Sequence, residues 1–135
     1  MGTTKEIPAG EPFKLSEQIV GLDRATGRAG FVEWRGGGPP PRINGYTVGA
    51  PLLVEEPPHA GEMHPDADEL LYLVSGRVRF RLELPDGDRE TQLVQDQALV
   101  VPRGVWHRIF IEEPGRLVHV TPGPGGEHRP LTESR

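Results

Sequence analysis

The sequence has 135 residues, a length typical of one domain with its own hydrophobic core. It contains no cysteine, which excludes disulfides, thiolate metal sites and cysteine nucleophiles from this chain, so any metal must be held by nitrogen and oxygen. Lys and Arg number 15 against 20 Asp and Glu, a net charge of −5, and this acidic balance argues against a nucleic-acid partner.

The first residues carry no export or membrane signal. They lack the apolar segment of a signal peptide, and no part of the sequence approaches the roughly 18 consecutive apolar residues of a membrane span. We therefore expect a cytoplasmic protein with no membrane partner.

Glycine (18 residues) and proline (15) separate short apolar segments, a pattern typical of an all-β domain with many turns. In chain order, we expect an arm or short strand within residues 13–20 and a strand at 31–34. A β-prone segment follows at 46–54, interrupted by Gly49 and Pro51.

The clearest strand pattern lies between residues 70 and 121. Strands are predicted at 70–74 and 77–84, joined by a turn at Ser75-Gly76. In the second of them apolar and charged residues alternate, so one face is buried and the other solvated. Further strands are predicted at 90–94, 98–101, 106–111 and 116–121, whereas residues 122–135 carry no strand or helix signal. Short antiparallel strands with tight turns favour a small barrel or a jelly roll.

Residues 61–70, GEMHPDADEL, concentrate side chains that can bind a metal. Glu62 and His64 are two positions apart and share a face of an extended chain. Glu69 is an odd number of positions beyond His64, but a turn at Pro65 can bring it back to the same interior. His107 lies on an apolar face of the strand predicted at 106–111, where a histidine alone is more often a core residue than a ligand.

The segment from Gly61 to His107 resembles the cupin superfamily. The first cupin motif has the form G-x5-H-x-H-x3–4-E-x6-G, and His64, Glu69 and Gly76 match its second histidine, its glutamate and its last glycine. The second motif begins G-x5-P-x-G-x2-H-x3-N, and PRGVWH matches it from Pro102 to His107. The resemblance implies an all-β cupin double-stranded β-helix, a jelly-roll barrel at residues 45–121. Residues 1–44 would form an N-terminal arm with edge strands and a Gly/Pro loop over the barrel mouth, and 122–135 a C-terminal tail.

Three positions depart from the cupin motifs. Glu62 occupies the position of the first histidine, Asp96 that of the opening glycine of the second motif, and Ile111 that of its final asparagine. The last two are turn and packing positions, so Glu62 is the departure that bears on function.

The resemblance implies a divalent metal ion, Fe, Mn, Ni, Co or Zn, bound by His64, Glu69 and His107. Three interpretations of Glu62 follow: a fourth metal ligand, a general base beside the metal, or the sign of a degenerate site that binds no metal. Two imidazoles and two carboxylates would favour Mn or Fe over Cu. We expect His59 to be an exposed loop histidine, with a role as substitute ligand as the alternative.

A second metal-binding pattern overlaps the first. His64, Asp66 and His107 match the facial triad of 2-oxoglutarate oxygenases, and Arg116 follows at a suitable distance. The serine that usually accompanies this arginine is missing and the chain is short for that family, so we disfavour this interpretation.

The resemblance therefore predicts a small metal-dependent cupin enzyme acting on a small organic molecule. Its chemistry would be that of a dioxygenase or other oxidoreductase, or of an isomerase, cyclase or lyase, and the alternative is a non-catalytic binding protein with a degenerate metal site. The catalytic candidates are Glu62 and His119, which shares a strand face with Leu117 and Thr121. The expected partners are a small-molecule substrate and a second copy of the chain, a homodimer paired through residues 1–20 and the tail.

Overall fold

The computed structural model describes residues 1–35 and 38–131, and all regular structure in these two ranges is β-strand. The strands are β1 (Thr4–Glu6), β2 (Val20–Asp23), β3 (Ala29–Val32), β4 (Gly45–Gly49), β5 (Leu52–Leu53), β6 (Glu62–Met63), β7 (Glu69–Leu73), β8 (Arg77–Leu84), β9 (Gly87–Leu93), β10 (Ala98–Val101), β11 (His107–Glu113), β12 (Gly115–Gly123) and β13 (Glu127–His128). The described part of the chain contains no helix long and apolar enough to cross a membrane.

The strands form two antiparallel sheets. The first has the order β1-β3-β2-β4-β12-β7-β10, with β5 paired to β12, and the second has the order β13-β6-β11-β8-β9. From β10 onward, successive strands belong to alternate sheets, as expected for a jelly roll. The predicted all-β jelly-roll class is therefore confirmed.

The hydrophobic core lies between the two sheets. Leu71, Leu73 and Leu117 enter it from the first sheet, and Val78 and Phe80 enter it from the second. Full burial of side chains of this size stabilises the fold by about 1.5–3 kcal/mol each. The alternation predicted for residues 77–84 is confirmed, because the even-numbered side chains of β8 contribute to this core or pack against it.

The strands β1 and β13, the two-residue strand β6 and all of β2 beyond Val20 were not predicted from the sequence. The strand β13 lies in the segment 122–135 and pairs with β6, whose own two residues carry no clear pattern. Of the arm expected at 13–20, only Val20 is in a strand. Within the Gly/Pro loop and the tail, residues 36–37 and 132–135 lie outside the described residues.

The turns that carry the two sequence motifs are bonded to each other. The N–H of Gly104 donates to the carbonyl of His64 at 2.8 Å, and the N–H of Arg103 donates to the Asp68 carboxylate at 2.8 Å. Asp96, at the motif position for glycine, has φ of 70°, the left-handed conformation that aspartate tolerates better than most residues. These bonds fix the two ends of the site relative to each other.

Candidate metal centre

Three side chains of the second sheet face one another across adjacent strands. In the registers of β6, β11 and β13, Glu62 pairs with His107 on one side and with His128 on the other. Residues directly opposite in antiparallel strands project to the same face. The short strand β6 therefore places its carboxylate between two imidazoles.

Glu69 and His64 reach the same point from the first sheet and from the turn that joins the sheets. Glu69 begins β7 and is 3% exposed, and His64 is 4% exposed. Between them the chain turns at Pro65. The predicted return of Glu69 to the interior is confirmed, and the centre is built from both sheets.

Four donor atoms converge in this interior. The Nε2 atom of His107 lies 3.1 Å from Oε1 of Glu69 and 3.3 Å from Oε1 of Glu62. The Nε2 atom of His64 lies 3.5 Å and 3.6 Å from the same two oxygens. One ligand atom from each side chain can be chosen so that all four lie within 4.8 Å of one another. Such a group of nitrogen and oxygen donors fits a divalent metal of the kinds that bind imidazole and carboxylate.

The buried polar atoms of this group are incompletely satisfied by the protein. Among the described residues, four buried side-chain atoms of this group have no hydrogen-bond partner, namely Nδ1 and Nε2 of His64, Nδ1 of His107 and Oε1 of Glu69. Buried polar atoms are rarely left in this state, because desolvation costs roughly 1–3 kcal/mol for each of them. Two of them, Nε2 of His64 and Oε1 of Glu69, face the point at which the four donors converge, so a cation there would satisfy both.

The charges of the group balance in the absence of a metal. Burial disfavours the charged form of every member, but contact with opposite charge outweighs it. The carboxylates raise the pKa of His64 to about 9 and the pKa of His107 to about 10. The imidazoles in turn hold the pKa of both Glu62 and Glu69 below its usual range. A divalent ion would replace the two protons of the histidines.

Glu69 is held from behind by a hydrogen-bonded chain. The hydroxyl of Thr121 donates to Oε2 of Glu69 at 2.7 Å, which leaves the hydroxyl oxygen to accept from Nδ1 of His119 at 2.9 Å. Burial, and after it the Arg42 guanidinium, lowers the pKa of His119. His119 is thus a neutral ring with its proton on Nδ1 and a free lone pair on Nε2. A Cβ added at Gly49 would lie 2.6 Å from that Nε2, so the ring needs the glycine.

Glu62 has a second group of partners on its outer side. Its Oε2 atom lies 3.2 Å from Nε2 of His128 and 4.0 Å from Nε2 of His59. Nδ1 of His59 accepts the N–H of Gly61, so the proton of the neutral ring is on Nε2. A metal-bound histidine has the opposite arrangement, with its other nitrogen donating. The outer group therefore suits hydrogen bonding. The expectation of an exposed His59 is wrong, because its side chain is only 19% exposed.

The facial triad of 2-oxoglutarate oxygenases is not assembled. Asp66 is exposed and accepts the N–H of Gly125 at 2.6 Å, away from His64 and His107. Arg116 donates to the carbonyl of Ala50. The sequence interpretation that disfavoured this triad agrees with the structure.

A cavity of about 720 Å³ opens beside the centre, a size typical of pockets for small molecules. Glu62, Glu69 and His107 form part of its wall, and His119 and Thr121 lie in the same wall. The face of β12 that carries His119 thus points inward, the condition under which the sequence made it a catalytic candidate. The rest of the wall is largely apolar and includes Leu53, Leu71, Phe80, Ile109 and Leu117.

The sequence identified four members of this site and missed two. Glu62, His64, Glu69 and His107 come together as their motif positions predicted. Thr121 was noted only as a face neighbour of His119, and nothing in the pattern marked it as a partner of Glu69. His128 lies in a segment without strand signal, so its pairing with Glu62 depends on a contact between distant parts of the chain.

Solved structures of other proteins resemble this fold. Peruvianin-I, a cysteine peptidase from Thevetia peruviana latex, is 16% identical over 64% of this chain and 57% of its own, with a TM-score of 0.53. FeII HppE in complex with substrate is 14% identical over 56% of this chain and 42% of its own, with a TM-score of 0.47. A mutant of oxalate decarboxylase OxdC from Bacillus subtilis is 19% identical over 64% of this chain and 23% of its own, with a TM-score of 0.48.

These likenesses concern the fold, since the identities are low and each match spans less than two thirds of the other chain. No curated protein sequence matches the chain. The sequence itself matches the family model of the cupin domain over residues 52–129, more than half of its length and a range that includes both motifs. The chain therefore belongs to the cupin domain family.

Proposed function

We propose that the chain is a small metal-dependent enzyme that binds one divalent ion through His64, Glu69, His107 and Glu62 and acts on a small organic molecule. The observation that carries the proposal is the convergence of these four side chains, at a point faced by two of their buried atoms that have no hydrogen-bond partner among the described residues. When bound, the metal would supply Lewis acidity to an oxygen atom of the ligand.

The residues of the chain would divide the remaining work. Thr121 and His119 hold Glu69 in one orientation, and the apolar side chains around the cavity exclude water from the ligand. His119 is the group we propose for proton transfer, and Glu62 shares that role in the interpretation in which it lies beside the metal as a general base. Glu62 presents a carboxylate in the cavity wall, and His119 has a free Nε2 lone pair that can accept a proton.

The class of reaction is part of the proposal. We favour oxidoreductase chemistry, including that of a dioxygenase, and keep isomerase, cyclase and lyase chemistry as alternatives with the same residues. Cysteine peptidase chemistry, named for peruvianin-I, has no nucleophile in this sequence because the chain lacks cysteine.

A second candidate function is non-catalytic binding of a small molecule without a metal. One feature favours it: both imidazoles contact both carboxylates at 3.1–3.6 Å, and with the raised histidine pKa values these contacts would balance the charges of the centre without an ion. The two functions differ in whether the centre holds a metal when the protein is purified.

Metal content by plasma mass spectrometry separates these functions. Untagged protein purified without chelator is compared with the double variant His64→Ala/His107→Ala. We expect close to one equivalent of Fe, Mn, Co, Ni or Zn in the natural sequence and none in the variant. Equal and negligible content in both, together with no thermal shift on adding Mn(II) or Fe(II), would rule out the metal-dependent enzyme and leave the binding protein.

We also propose that the protein is a cytoplasmic homodimer. The expected pairing through residues 1–20 and the tail stays part of this proposal. Leu70, Tyr72 and Val100, which are 43%, 36% and 52% exposed on β7 and β10, form an alternative apolar surface that a second copy could cover. Light scattering on the purified protein tests the dimer, and a single-chain mass would contradict it.

A further inference from the structure

One cationic side chain of the cavity has no charged partner. Arg42 is the only Lys or Arg among the described residues that line the cavity, and it is half-buried. Its Nη1 donates to the hydroxyl of Thr47 at 3.1 Å. Within residues 1–35 and 38–131, no carboxylate forms an ion pair with it. A guanidinium withdrawn from water without a counter-charge is costly, and an anionic ligand would remove that cost.

The position of Arg42 connects it to the metal centre. The hydroxyl of Thr47, which accepts from Arg42, itself donates to the backbone carbonyl of Thr121 at 3.4 Å. The side chain of Thr121 binds Glu69, one of the four converging groups. Arg42 and three of the four converging groups, Glu62, Glu69 and His107, therefore line the same cavity.

The surroundings limit the charge that this ligand can carry. The charges of Glu62 and Glu69 are balanced within the metal centre, so Glu17 and Arg42 are the remaining acidic and basic side chains among the described residues that line the cavity. A ligand with two or more negative charges would meet one guanidinium and one further carboxylate, whereas a single negative charge matches Arg42. The apolar wall, with Phe80 and Leu71, suits a hydrocarbon body. The planar guanidinium matches the geometry of a carboxylate, to which it can donate two parallel hydrogen bonds.

We propose that the ligand of this cavity is a small monocarboxylic acid with an apolar body, whose carboxylate pairs with Arg42. The acid group would occupy the Arg42 side and the hydrocarbon part would contact Phe80. The part of the molecule that faces Glu62 and His107 would be the part that reacts. The inference rests on the proposed function for the reaction, whereas the pairing with Arg42 does not require a metal.

The probes are 3-phenylpropanoate and its neutral analogue 3-phenylpropanamide, which share size and apolar body and differ in charge. Their dissociation constants are measured by calorimetry with natural protein, Arg42→Met and Arg42→Lys. Arg103→Met is the matched control, because Arg103 is an exposed turn residue outside the cavity wall. Each protein is measured both loaded with Zn²⁺ and stripped of metal.

We expect natural protein to bind the acid about tenfold or more tightly than the amide, the usual strength of a charged hydrogen-bonded pair. Arg42→Met should abolish this preference, Arg42→Lys should keep part of it, and Arg103→Met should leave it unchanged. The preference should persist in stripped protein. A preference that survives Arg42→Met but disappears with the metal would overturn the inference, since the acid would then bind the ion. Equal binding of the two probes, or no binding of the acid, would overturn it too.

If Arg42→Met does not fold, the pairing can still be tested on natural protein. The measurement is the shift of the Arg42 Nε–H resonance on adding the acid. A shift with the acid and none with the amide supports the pairing, and the absence of a shift contradicts it. The outcome is also separable from that of the proposed function. If the protein holds no metal yet prefers the acid through Arg42, the enzyme proposal fails and the ligand class stands.

Discussion

The two carboxylates of the centre are held in different ways. Glu69 begins a five-residue strand between two neighbours, is 3% exposed, and receives a hydrogen bond from a hydroxyl that is itself supported by His119. Glu62 lies in a two-residue strand, its side chain is 20% exposed, and its outer oxygen contacts His128, which is 41% exposed. The centre thus combines one carboxylate of fixed position with one that can adjust. This difference predicts which substitutions damage metal binding most.

The comparison is tested most strongly by neutralising each carboxylate. We expect Glu69→Gln to weaken Mn(II) or Zn(II) binding by about a hundredfold or more, because it removes a charge from a buried, preorganised position. Glu62→Gln should cost only about tenfold, since the more exposed position lets water replace the lost oxygen. Competition with a chromogenic chelator measures both, with the exposed Glu55→Gln as a control of equal charge change. A larger loss for Glu62→Gln would reverse the assignment of fixed and adjustable ligands.

The pH dependence of the thermal stability of the metal-free protein tests the ion pairs that the two histidines form with the two carboxylates. The histidines have raised pKa values, so their stabilisation is complete below the ordinary value of 6.5 and is lost as pH rises through about 9 and 10. The carboxylates have lowered pKa values, so the stabilisation that they contribute is complete above pH 4.5 and is lost on acidification. We expect the midpoint temperature to be highest between pH 4.5 and 6.5 and to fall by about 5 °C or more by pH 9.5.

The double variant His64→Ala/His107→Ala serves as the control for this pH series. Its midpoint temperature should lack the alkaline fall that the two histidines cause. An identical fall in both proteins would assign it to other groups and contradict the protonated state of the centre.

The support behind Glu69 is tested at Gly49. In Gly49→Ala the new methyl group collides with the His119 ring, so Thr121 loses its donor and Glu69 its fixed orientation. We expect about a tenfold loss of metal affinity with little loss of fold. Gly126→Ala is the matched control, because its Cβ would lie at an ordinary 3.9 Å from His64. Equal effects of the two substitutions would show that the His119 ring does not support the centre.

The smallest effect on metal affinity is expected for a substitution beside Glu62, the carboxylate that can adjust its position. His128→Ala removes a partly exposed hydrogen bond to Glu62, and we expect metal affinity to fall by no more than about threefold. Isothermal titration with the metal measures it. A tenfold loss would mean that the C-terminal strand fixes Glu62 as firmly as Thr121 fixes Glu69.

The strands and the four converging residues were predictable because their signals are local. Alternation in β8, the turn at Ser75-Gly76, the spacing of His64 and Glu69, and the segment PRGVWH that ends at His107 are each contained in a short stretch of sequence. Even the departure at Asp96 is explained by a local conformation, its positive φ.

The supporting contacts were not predictable from such signals. Thr121 meets Glu69 across 52 positions of sequence, and His128 meets Glu62 across a pairing of two-residue strands. Neither strand in that pairing is long enough to show a period. The surroundings of Arg42, in which no described carboxylate forms an ion pair with it, likewise depend on which side chains the fold brings near it. No sequence motif encodes that arrangement.

The most direct test is a crystal structure of protein soaked with Mn(II) or Zn(II), examined by anomalous scattering at the absorption edge of the metal. We predict one peak at bonding distance, roughly 2.0–2.2 Å, from Nε2 of His64, Nε2 of His107 and Oε1 of Glu69, with Glu62 as the fourth ligand. A crystal without that peak, or with the ion bound instead between His59, Glu62 and His128, would contradict the assignment of the metal centre.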